Sequence, residues 1–138
     1  MLTKIDHIGI AVKNLPAAAA LYEEIFHLVG EEVKEVPQQQ VRVKKLTVGE
    51  TKIELLEPTS EDSPVTRFLQ KRGEGIHHIC YAVPQFEKAL ADIRAAGLQL
   101  IGEPTVGSDG KRVVFIHPKS TFGVLIELVE QDEPDASK

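Results

Sequence analysis

Two histidines and two glutamates occupy matching places in the two halves of this chain, and their types and spacing could hold a metal ion. His7 lies in Asp6-His7-Ile8-Gly9, and His78 follows 71 residues later in His77-His78-Ile79-Cys80. Glu54 lies in Ile53-Glu54-Leu55, and Glu127 follows 73 residues later in Ile126-Glu127-Leu128. Small residues share a strand face with each histidine: Gly9 and Ala11 after His7, Cys80 and Ala82 after His78. A packed core would put Val or Leu at those places, so space is kept above both histidines. Both glutamates stand among apolar residues, where an unpaired carboxylate is costly or takes up a proton. One divalent cation bound by His7, Glu54, His78 and Glu127 would satisfy all four groups. The mixed nitrogen and oxygen set suits Co, Mn, Ni, Fe or Zn rather than calcium, which prefers oxygen alone. Two separate His-Glu ion pairs would explain the burial but not the space.

The elements that must position these side chains repeat with them. Ala11-Val12 matches Ala82-Val83, and Gly30-Glu31 matches Gly102-Glu103. Two copies are too few for a solenoid, so the pattern predicts one pseudo-symmetric domain of duplicated modules. In the first copy Lys4 to Val12 alternates as a strand, with His7, Gly9 and Ala11 on one face and Ile8, Ile10 and Val12 on the other, which is expected to be core. Asn14 can cap a helix that Pro16 tolerates in its first turn, and Ala18, Leu21, Tyr22, Ile25 and Phe26 form its apolar stripe. Val41 to Leu46 and Thr51 to Leu56 read as a hairpin turning at Val48-Gly49-Glu50. A connection at 58–75 carries a short helix capped by Ser63 and begun by Pro64, with Phe68 and Leu69 packed inward.

The second copy runs as a strand from Ile76 to Val83, a helix from Gln85 to Ala96 closed by Gly97, and strands at Arg112 to Ile116 and Val124 to Val129. The fold class is therefore α+β. Two tandem βαβββ modules, about 1–57 and 76–130, form a curved, incompletely closed mixed sheet with helices on the outer face. Residues 1–130 make a single domain, and 131–138 form a flexible polar tail.

Composition narrows the partners. The 138 residues are 42% hydrophobic, and a chain of that length buries about 68% of its unfolded surface. A single cysteine, Cys80, excludes an intrachain disulfide, and the N-terminus carries no charged-then-hydrophobic leader, so a cytoplasmic protein is expected. The net charge of −5 gives no attraction to nucleic acid or anionic membranes. Among other polar residues, His77 should point away from His78 as a surface or supporting residue, and His27 and His117 look peripheral. Lys111, Arg112 and Lys119 flank Gly107-Ser108-Asp109-Gly110, which either approaches a ligand or is an ordinary solvated turn. No GxGxxG, phosphate-loop or nucleophile-elbow pattern is present.

The repeated βαβββ pattern with strand-centred His and Glu resembles the vicinal oxygen chelate superfamily, which includes glyoxalases, extradiol dioxygenases and some antibiotic-resistance proteins. Five segments, in order, carry a closer resemblance to the methylmalonyl-CoA epimerase family. They are Ile5 to Val12, Ile53 to Pro58, Asp62-Ser63-Pro64, Gly75 to Ile79, and His117-Pro118-Lys119-Ser120 with Gly123 to Leu128. The resemblance implies His7, His78 and Glu127 as metal ligands, with Glu54 at a fourth position. It implies inversion of methylmalonyl-CoA at C2 by proton abstraction through a metal-stabilised enolate, with Glu127 as first candidate base.

Inversion needs a second acid-base group. The carboxylate that some family members are thought to use on the strand before the first hairpin turn is missing from Val41-Arg42-Val43-Lys44-Lys45. Glu54, a bound water or a residue of the Glu35 to Gln40 loop remain for that role. A homodimer is implied as well. A glyoxalase-type isomerase acting on a glutathione hemithioacetal is the alternative enzyme, and a metal-free small-molecule binding protein the non-catalytic one. Extradiol dioxygenases usually need a longer chain.

Overall fold

The structure, a computed structural model, describes residues 1–107 and 109–132, in which alternating apolar runs build nine strands and three α-helices. In chain order these are β1 (Lys4–Ala11), α1 (Leu15–Ala20), β2 (Val29–Gly30), β3 (Lys34–Val36), β4 (Val41–Val48), β5 (Thr51–Pro58), α2 (Pro64–Arg72) and β6 (Gly75–Val83). They continue with α3 (Phe86–Ala95), β7 (Leu100–Val106), β8 (Arg112–Ile116) and β9 (Ile126–Glu130). The chain divides into two compact units, His7–Ile79 and Met1–Asp6 with Cys80–Lys138.

In His7–Ile79 the hydrogen-bonded strand order is β2-β4-β5-β1, with β3 also on β4. β4 and β5 form the expected hairpin, turning where Gly49 takes φ 57°. That left-handed geometry is costly for most side-chain-bearing residues. β1 runs parallel to β5 with Gly9 opposite Glu54 and Ala11 opposite Leu56. A parallel neighbour requires a crossover, which α1 begins. Asn14 caps α1 through its Oδ1, accepting from Ala17 N at 3.0 Å.

Helix α1 covers one face, packing Leu15 and Ala19 against Val12, Leu46 and Leu55. Helix α2, capped by Ser63, covers part of the other, where Val65 joins Ala11, Val36, Val41, Val43 and Leu56. Both faces are therefore covered. His7, Gly9 and Ala11 are more buried than Ile8 and Ile10, so the expectation that only the isoleucine face is core is corrected.

The helical stripe also needs correction. After Ala20 the chain widens into a π turn over Leu21–Ile25, where Phe26 N bonds Leu21 O at 3.2 Å. The wider turn changes the phase of later side chains. Leu21, Ile25 and Phe26, expected inside, are 45%, 64% and 55% exposed.

In the other unit β7, β8 and β9 are consecutive antiparallel neighbours. Helix α3 packs Phe86, Ala89, Leu90 and Ile93 on Val114, Ile116 and Leu128. Alternation along β9 then turns Glu127 and Val129 to the face away from α3, where Val129 clusters with Cys80, Ala82 and Val113. β9 begins at Ile126, two residues later than expected, and β2, β3 and β7 were not assigned from sequence. Of the proposed tail, Gln131 donates its N-H to Val83 O at 2.8 Å, and residues 133–138 lie outside the described ones.

Candidate metal centre

Three of the four expected ligands meet within His7–Ile79. His7 from β1 and His78 from β6 approach through their Nε2 atoms, 3.0 Å apart. Glu54 from β5 places Oε2 3.0 Å from His7 Nδ1. All three side chains are buried. Glu127 belongs to the other unit, buried on β9 opposite Phe115.

Backbone alternation explains the convergence. His7, Gly9 and Ala11 share a face of β1, and the register with β5 brings Glu54 onto it beside Gly9. The glycine is required by the second histidine: a Cβ at position 9 would lie 2.5 Å from His78 Nδ1 and 2.9 Å from its Nε2. The space inferred above His7 is thus partly taken by the other imidazole. Behind His78 stands His77, whose Nδ1 is 2.9 Å from His78 Nδ1 and whose ring packs edge-on against Phe68. His77 is a supporting residue, though it turns towards His78 rather than away, a correction that strand alternation alone could not supply.

The donor set fits a transition metal. The Glu54 carboxylate favours the tautomer of His7 with its proton on Nδ1, leaving the Nε2 lone pair for coordination. Two nitrogens 3.0 Å apart match adjacent ligands, each about 2.1 Å from one shared ion. A simple His7-Glu54 ion pair is present, yet it gives no reason for a second imidazole against Nε2.

The peripheral candidates fall away. His117 Nδ1 accepts from Lys119 N at 3.0 Å inside a short turn at Pro118–Ser120, and His27 sits in a left-handed turn with φ 57°. Arg112 is committed to Glu130 at 3.0 Å, to Glu87, and to the face of Phe86. The Glu130 and Glu87 hydrogen bonds raise its pKa above the ordinary value, and the Arg112 bonds hold the Glu130 carboxyl below its own. Lys111 Nζ lies 4.0 Å from Asp132. Of the expected Gly107 turn, Ser108 lies outside the described residues. In the Glu35 to Gln40 loop the single carboxylate, Glu35, is exposed and 3.7 Å from Arg42.

Sequence reasoning missed Lys45. It is only 6% exposed and stands directly opposite Glu54 in the β4-β5 register, hence on the same face. The available signal was its even spacing from Val41 and Val43, four and two residues away, which places it on their inward face.

Residues 6–115 match the Glyoxalase/Bleomycin resistance protein/Dioxygenase superfamily. An ethylmalonyl-CoA/methylmalonyl-CoA epimerase from Cereibacter sphaeroides is 42% identical over 93% of this chain and 98% of its own. A methylmalonyl-CoA epimerase variant from Streptomyces coelicolor, solved with 2-nitronate-propionyl-CoA, superimposes with a TM-score of 0.91 at 39% identity, covering 97% of this chain and all of that one. A methylmalonyl-CoA epimerase in complex with methylmalonyl-CoA and NH4+ gives the same score, identity and coverage. The chain belongs to the glyoxalase/bleomycin resistance protein/dioxygenase superfamily and, within it, to the methylmalonyl-CoA epimerase family.

Proposed function

We propose that this enzyme epimerises methylmalonyl-CoA at C2 with the help of a divalent cation. The observation that carries the reading is the buried imidazole pair, His7 Nε2 and His78 Nε2 at 3.0 Å, backed by the Glu54 carboxylate. His7, His78 and Glu127 would hold the ion, and Glu54, expected as a fourth ligand, lies against His7 Nδ1 on the side of the ring away from Nε2, where it would orient that ligand. Assignment of Glu127 rests on the sequence repeat and its burial on β9. The cation would supply positive charge beside the oxygens of the substrate, which lowers the barrier to forming an enolate.

The residues have separable tasks. Glu127 takes the C2 proton, and protonation on the opposite face completes inversion, for which Glu54 is the nearest carboxylate identified on the imidazole face. Its bond to His7 Nδ1 meanwhile fixes that ring. The substrate is a CoA thioester, the protein acts in the cytoplasm, and it works as a homodimer. Among the described residues no helix is long and apolar enough to cross a membrane.

The test combines chelation with isotope exchange. EDTA should abolish epimerisation, divalent metal should restore it, and C2 should take up deuterium from D2O with at least one epimer. Glu127→Gln should lose turnover by at least about a hundredfold, the scale of a positioned proton carrier. Full activity in metal-free protein, or turnover on a glutathione hemithioacetal alone, would reject the reading.

A further inference from the structure

We propose that Lys45 receives the free carboxylate of the substrate's acyl group and so sets a preference for acyl-CoA thioesters that carry a second negative charge. The inference rests on the epimerase reading for the identity of the substrate and on the structure of His7–Ile79 for the site.

Lys45 is an unusual lysine. Lysines are almost never buried without a partner, yet this one is 6% exposed. Among the described residues its ammonium has neither a hydrogen bond nor an ion pair. Among the described residues no side-chain nitrogen or oxygen is both sealed from solvent and unbonded, so the ammonium keeps some contact with solvent. Its neighbour Lys44, on the opposite face, is largely buried as well but has a partner, Glu23 at 3.6 Å.

Position gives the ammonium its task. Lys45 stands opposite Glu54, which faces Gly9 on β1, so the lysine lies two strands from His7 on the same face. Helix α2 covers the Val41 and Val43 end of that face. The carboxylates nearest in register are turned elsewhere: Glu54 towards His7 at 3.0 Å and Glu31 towards Lys52 at 3.8 Å. An ammonium offers three donors and no acceptor, so an anion answers it best. In a methylmalonyl thioester the free carboxylate is such an anion, and a charge-assisted hydrogen bond would orient the acyl group over the imidazoles.

The experiment measures binding of methylmalonyl-CoA and of propionyl-CoA, the same thioester without the carboxylate, to metal-loaded protein and to Lys45→Met and Lys45→Arg. Lys45→Met keeps the apolar stem and should weaken methylmalonyl-CoA binding on the order of tenfold to a hundredfold, the scale of a hydrogen bond to a charged group. Propionyl-CoA binding and metal content should stay as in the parent. Lys45→Arg should retain most of the preference. Equal weakening of both ligands, or of neither, would overturn the proposal, as would a parent protein that does not distinguish them. Lysine-dependent binding without epimerisation would overturn only the epimerase reading. Epimerisation with an indifferent Lys45→Met would overturn only the lysine's role.

Discussion

Gly9 shows how much of the proposed metal centre depends on a residue that offers no ligand. Its missing side chain admits the His78 ring, and Gly9→Ala would place a methyl 2.5 Å from His78 Nδ1. Contact that close forces the imidazole off its position, and disturbing the support of a ligand costs about 10- to 100-fold in metal affinity. Competition titration against a chromophoric chelator should register that loss, and unchanged affinity would argue against His78 as a ligand. The His and Glu repeat was legible in the sequence because each residue type was misplaced on an apolar strand. His77 and Lys45 were less so, since their meaning depends on rings and strands that meet only after folding.

Elements whose local chemistry decides their ends were read nearly to the residue. Asn14, Ser63 and Pro64 mark helix starts through capping and a fixed φ, and the β4-β5 hairpin follows from a glycine turn. Short strands such as β2 and β3 carry no periodicity of their own and exist because β4 offers them a partner. The π turn escaped notice because apolar spacing presumes a regular helix. Between β8 and β9, Arg112 and Glu130 make a partly exposed pair whose effect on stability has a definite sign. Glu130 binds its proton less readily when folded. Its contribution is therefore present above the ordinary carboxylate range and is lost as pH falls through the lowered folded value. Acid unfolding monitored by circular dichroism should be less steep in Glu130→Gln across that window, and an unaltered profile would remove the pair as a cause.

The whole molecule draws its stability from several apolar clusters, and Leu55 is a fully buried member of the one under α1. Leu55→Ala should cost about 2–5 kcal/mol in urea unfolding, a large part of a typical total of about 5–15 kcal/mol. A cost below about 1 kcal/mol would mean that the cluster collapses around the gap. Overall α+β class and the order of the two modules were legible because hydrophobic periods of two and of 3.6 alternate twice. The division of labour between compact units was not. His78 is written in the second copy of the repeat, yet it folds with the unit that ends at Ile79 and contains His7. A ribosome making this protein must therefore pass α2 and reach His78 before the imidazole pair can exist at all, so a chain interrupted within α2 lacks the pair and, on the proposed reading, the affinity for an ion that it would give.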